Sequence, residues 1–159
     1  MSTDFLNIAG IFKINTDLFK KTLQGIPPER LLTRPAEDSN HLLWIAGHVV
    51  VHRARVLKLL GQEWSAPWEP LFVRGSKLVA DDQYPGIDAI ARNWDDVSGR
   101  LAESLASASS EALAAPVTKG MTLDGKISGQ ISFLALHESY HVGQMAYLRK
   151  FLGFGQAIG

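Results

Sequence analysis

The chain contains no cysteine. That removes disulfide bonds, thiolate nucleophiles and cysteine-based zinc sites together. It also lacks any surplus of charge. Sixteen Lys and Arg residues balance sixteen Asp and Glu residues, and the longest basic runs are the pairs Lys20-Lys21 and Arg149-Lys150. Nothing in that balance drives nucleic-acid binding. No apolar run approaches the ~20 residues of a membrane span. The start, Met1 to Phe5, has neither the basic region nor the apolar stretch of a signal peptide. The expected location is cytoplasmic, with no nucleic-acid or membrane partner. Strand-like alternation between turn signals is missing, as is any long internal repeat.

What is present is an ordinary globular composition, 46% hydrophobic and 20% charged over 159 residues. That length fits one domain, residues 1–159, and is enough to bury about two thirds of the unfolded surface. Four stretches keep the helical period. In the first, residues 4 to 24, Phe5, Ile8, Ile11, Phe12, Leu18 and Phe19 share a face that Asn15 interrupts, with Thr3 or Asp4 available as a cap. Gly25 and Pro27-Pro28 end it. Asp38 or Ser39 is the expected cap of a second helix that runs to about Leu60 and stops at Gly61. A connection from 62 to 85 carries Trp64, Trp68 and Phe72, too much aromatic mass for a disordered linker. It either seals the core or lines a pocket. Ile87, Ile90, Trp94, Val97, Leu101 and Leu105 mark a third helix as far as about Ala108, and the fourth covers about 126 to 152. The expected fold is all-α, a four-helix bundle.

The chemistry concentrates on the fourth helix. His137 and His141 are four residues apart, so they lie one above the other on one face and their imidazoles can converge on one ion. Gln130, Leu134, Met145, Leu148 and Leu152 fall within roughly 40° of His141 on a helical wheel, which places the pair in an apolar stripe. A hydrogen-bonded core pair is the structural alternative. The letters His137-Glu138-x-x-His141 match the zinc-protease motif HExxH. The eighteen residues after His141, however, hold no His, Asp, Glu or Cys to complete it. A third ligand must come from upstream. In a bundle it comes from a facing helix, where His48 stands among Trp44, Ile45 and Val49. His41 and His52 share its face and are expected to be exposed or to stand beside the ligands.

Two strings carry a family resemblance. His137-Glu138-Ser139-Tyr140-His141-Val142-Gly143-Gln144, followed by Tyr147-Leu148-Arg149 and Gly153, resembles the DinB/YfiT-like family. So does Asn40-His41-Leu42-Leu43-Trp44-Ile45-Ala46-Gly47-His48, ending at Gly61. The resemblance implies a four-helix bundle of up-up-down-down connectivity and one divalent metal ion, nickel or zinc, held by His48, His137 and His141. It also implies a homodimer. Related members include thiol-dependent enzymes such as maleylpyruvate isomerase and bacillithiol transferases. It thus implies an enzyme that activates a low-molecular-weight thiol, of transferase or isomerase type, acting on a small-molecule substrate. A hydrolase using metal-bound hydroxide and a non-catalytic bundle stabilised by metal are the alternatives. With no cysteine in the chain, any thiol must arrive as a cosubstrate. Asn15, Trp44, His52, Gln130, Glu138, Tyr140 and Gln144 are candidates for the pocket or for orienting the ligands, and Glu138 could equally pair with an arginine such as Arg55.

Overall fold

The computed structural model describes residues 3–157, with side chains from Phe5 onward. Five helices follow in order: α1 (Thr3–Leu23), α2 (Leu42–Leu59), α3 (Ile87–Ser107), the short α4 (Ser110–Ala114) and α5 (Ile127–Phe151). Turns of 3-10 helix at Pro28–Leu32, Glu69–Phe72 and Asp81–Gln83 fill the connections. The one strand-like feature among the described residues is a single bridge between Pro116 and Lys126. The expected all-α bundle with four long helices is therefore what the chain forms. The first cap, expected at Thr3 or Asp4, lies outside the described side chains.

The helices form where their apolar period predicts. On α3 the seam Ile90, Trp94, Val97, Leu101 and Leu105 is buried throughout, and on α1 Phe5, Phe12 and Phe19 are buried. α2 is the central element. Every residue from Leu42 to Ala54 is buried, on all sides of the helix. Such a helix must have neighbours all round. It packs on α5 and α3, while α5 also packs on α1 and α3 touches α1 more lightly. The ring of long helices thus runs α1, α5, α2, α3. At its end Gly61 adopts φ +78°, and the Gln62 N–H returns to the Leu57 carbonyl at 2.9 Å. That left-handed turn is cheap only for glycine.

The expected start of α2 is corrected. α2 is capped by His41, not by Asp38 or Ser39: its backbone is extended and its Nδ1 accepts the Trp44 N–H at 3.0 Å. Far from being exposed, His41 is fully buried, edge-on to Tyr84. On α5, Leu136 and Tyr147 keep helical spacing but are 63% and 68% exposed. The buried stripe is Ile131, Ala135, Glu138, Val142, Met145 and Leu148.

One polar knot holds the long helices in register. Arg53 and Glu138, each 1% exposed, form a two-pronged ion pair, Nε to Oε2 at 2.8 Å and Nη2 to Oε1 at 2.5 Å. Arg53 also donates to Thr16 Oγ1, Ser98 Oγ and the Phe12 carbonyl, and lies 3.6 Å over the Trp94 ring. Asn15 Nδ2 completes the carboxylate at 3.1 Å. Side chains or carbonyls of α1, α2, α3 and α5 meet there. Glu138 therefore pairs with Arg53 and not with Arg55, because two residues turn a helix by roughly 200° and send the two arginines to opposite sides. Removing one partner strands a buried charge. Arg53→Ala is expected to lower the unfolding free energy by about 3–5 kcal/mol, read by urea denaturation, and a loss within experimental error of zero would refute the central role given to this pair.

Candidate metal centre

Trp44, His48, His52, Arg55 and Leu59 recur along α2 at spacings of four, four, three and four, so they share one side of the helix. Opposite them α5 presents Gln130, Phe133, Leu134, His137 and His141, and all ten residues line one cavity of about 760 Å³. The aromatic loop adds Arg74 and Gly75 to the lining and braces α2 through two carbonyls. Trp44 Nε1 donates to the Leu71 carbonyl at 3.0 Å, and the Trp44 ring stacks on His48 with centroids 4.8 Å apart. Phe72 is fully buried against Gly47, where an added Cβ would stand 2.5 Å from its ring. Glycine in mid-helix costs roughly 0.5–1 kcal/mol. Here it lets the loop close onto α2 and brings the Phe72 carbonyl to His48.

Four imidazoles meet at the cavity floor. Candidate ligand nitrogens of His48, His52 and His137 lie within 4.8 Å of one another. His141 Nε2 is 3.2 Å from His137 Nε2. Nitrogens bound to one tetrahedral ion at about 2.0–2.1 Å stand roughly 3.3 Å apart, so this spacing suits a shared metal. The tautomers suit it too. His48 Nδ1 is 2.6 Å from the Phe72 carbonyl, which can only accept, so Nδ1 carries the proton and Nε2 keeps its lone pair. His141 Nδ1 is 2.7 Å from Gln144 Oε1, which fixes the same tautomer. Metal-bound histidines normally donate their second N–H in this way.

The remaining two imidazoles keep ring nitrogens without protein partners. Neither ring nitrogen of His52 makes a hydrogen bond although the residue is buried, and His137 Nδ1 is also unpartnered. A buried polar atom left unsatisfied costs about 1–3 kcal/mol. Donor atoms in that condition, on side chains whose chemistry is that of zinc or nickel ligands, fit a metal ion.

Electrostatics keep the imidazoles neutral, the form that binds metal. Burial lowers the pKa of His48 to about 4 and of His52 to about 2, reinforced by the neighbouring histidines and Arg55. For His137 burial, then His141 and Arg55, lower it to about 4. His141 is lowered by burial, against the opposing hydrogen bond that it donates to Gln144.

The other candidates divide. Trp44, His52 and Gln130 line the cavity, Gln130 holding the Lys119 carbonyl through Nε2 at 3.0 Å. Gln144 orients His141 and its amide donates to Tyr140 Oη at 3.1 Å, with Tyr140 itself 62% exposed. Asn15 and Glu138 belong to the Arg53 knot behind the site and do not line it. His52, expected outside the ligands, stands inside the cluster, its ring 4.1 Å from that of His137. Arg55, Arg74, Met121 and Phe133 on the cavity wall were not singled out as site residues. Seven-residue spacing from His48 to Arg55 was the available signal for the first.

A helical bundle with a largely buried histidine cluster drawn from two facing helices is an architecture that fits a metal site. The chain belongs to the DinB superfamily, whose family model matches residues 11–145. A comparison with curated proteins gives no match.

The lowered pKa values set a pH window. Each imidazole takes up a proton in the unfolded chain near its ordinary 6.5, whereas His41, His48 and His137 do so in the fold only near 4. Their contribution to stability is thus complete above about pH 6.5 and is lost as pH falls toward 4. Metal-free protein should show a melting temperature that declines steadily across this interval. A flat profile between pH 6.5 and 4 would contradict the buried, neutral assignment.

Proposed function

We propose that the protein holds one divalent ion, nickel or zinc, through His48, His137 and His141 with His52 beside them, and that it is an enzyme activating a low-molecular-weight thiol for a transferase or isomerase reaction. The observation that carries the metal reading is the convergence of the imidazoles, with His137 Nε2 standing 3.2 Å from His141 Nε2 beside two tautomers fixed for coordination. A bound divalent ion lowers the pKa of a thiol or water that reaches it. Around that position Phe72 and Gln144 orient imidazoles, Trp44 shields His48, and the cavity of about 760 Å³ gives a small substrate room to approach. The absence of cysteine means that the sulfur would come from a cosubstrate. Up-up-down-down connectivity accords with the ring order α1, α5, α2, α3, in which the first two helices are not neighbours.

A second reading has its own support. His52 adds a fourth imidazole to the cluster, and four protein ligands make a closed, structural site. Substituting Co²⁺ separates the two. A thiol entering an open cobalt shell should produce a sulfur-to-metal charge-transfer band in the near ultraviolet at thiol concentrations up to about millimolar. Silence toward thiols with a response to azide would point to the hydrolase alternative, and silence toward both to the structural site.

We also propose that the protein is a homodimer. Leu136, Tyr140, Tyr147 and Phe151 form an exposed apolar stripe on α5, and such a stripe calls for a partner. Sedimentation should give the mass of two chains, reduced to one by Tyr147→Lys; a wild-type monomer would remove the proposal.

A further inference from the structure

We propose that the cavity beside the histidines receives a small molecule with an apolar body and a carboxylate-class anionic group, held chiefly by Arg55 and Arg74. The inference rests on the cavity being the substrate site of the metal centre, but its test does not need the metal.

The lining is one-signed. Arg55, Lys58 and Arg74 face the cavity, and no Asp or Glu lines it. Three ion pairs occur among the described side chains, Lys20–Asp95, Arg53–Glu138 and Arg100–Asp96. None of them uses a cavity cation. The other large groove, about 810 Å³ between α1 and α3, differs: there Asp17 and Asp95 accompany Lys13 and Lys20. Positive charge on the metal side is therefore left unbalanced by the protein.

Between the cations and the histidines the walls are apolar, from Trp44, Leu59, Met121, Phe133 and Leu134. A cleft with low-dielectric walls and charge of one sign concentrates its field on whatever enters. Guanidinium groups present paired donors that match a carboxylate. A ligand suited to this space carries its anion toward Arg55 and Arg74 and its hydrocarbon against Trp44 and Phe133. A neutral molecule of the same shape would forgo the first set of contacts and keep only the second.

The probes are 3-phenylpropionate and its neutral amide, nearly equal in size and differing in charge. Their binding to the full chain is measured by calorimetry or saturation-transfer NMR, with zinc and after chelation. The chelated form is decisive, since a carboxylate could also prefer a metal. There the acid should bind about tenfold more tightly than the amide, and added salt should erode that preference. In the Arg55→Gln/Arg74→Gln double variant, at exposed positions that leave the core intact, the preference should fall to about twofold or less. Equal binding of acid and amide to the wild type, no binding of either, or a preference surviving in the double variant would each overturn the proposal. Failure of the metal reading looks different: zinc fails to bind while the chelated chain still prefers the acid.

Discussion

Arg53 and Glu138 sit immediately after His52 and His137 in the chain, and this adjacency governs the site. The ion pair joins α2 to α5 at the point where each helix also carries a histidine, so it fixes the sliding register between the two helices. With that register set, the His52 and His137 rings stack at 4.1 Å and His48 comes edge-on to His141 at 4.7 Å. One α-helical residue is a rise of about 1.5 Å, so a slip of a single position would separate the imidazoles by more than a coordination bond tolerates. A buried pair of this kind is weak evidence for net stability. Its value here is positional: charges with donors from α1 and α3 and a carboxylate that accepts from both sides leave one arrangement of four helices satisfied.

On the opposite face of α2 the logic reverses. The knot is saturated with partners, whereas the histidine cluster is left short of them. Neutral imidazoles held by burial, two with their tautomers set by Phe72 and Gln144, form a donor set that fits a metal ion. The aromatic connection before α3 takes part directly. Gly47 lets Phe72 press onto α2, and the same residue's carbonyl then holds His48. The aromatics of this connection seal the core, and the cavity takes from it Arg74 and Gly75 instead.

Periodicity made the bundle legible. The apolar seams of α1 and α3 and the i,i+4 pair His137 and His141 follow from a 3.6-residue repeat, and the stop at Gly61 from glycine's freedom at a helix end. His48 was legible as the complement because a bundle supplies ligands from facing helices. The partner of Glu138 was not. Arg53 and Arg55 are both plausible letters, and only the phase of α2 against α5 decides which one reaches the carboxylate. α2 hides that phase because it is apolar nearly all round. His41 as a cap was equally hidden, since Asp38 and Ser39 are the commoner capping types while tertiary burial chose the histidine. Leu136 and Tyr147 show the converse limit: helical spacing identifies a helix, but a helix with apolar residues on two sides does not declare which side is the core.

The central claim is that the imidazoles of α2 and α5 share one metal ion. X-ray absorption at the zinc edge, on protein loaded with one equivalent, tests it most directly. The account predicts a shell of nitrogen neighbours at about 2.0–2.1 Å, with the outer-shell scattering of several imidazoles, collapsing when His48 and His137 are both replaced by Ala. A spectrum of oxygen neighbours without imidazole scattering, or one unchanged by that double replacement, would contradict it.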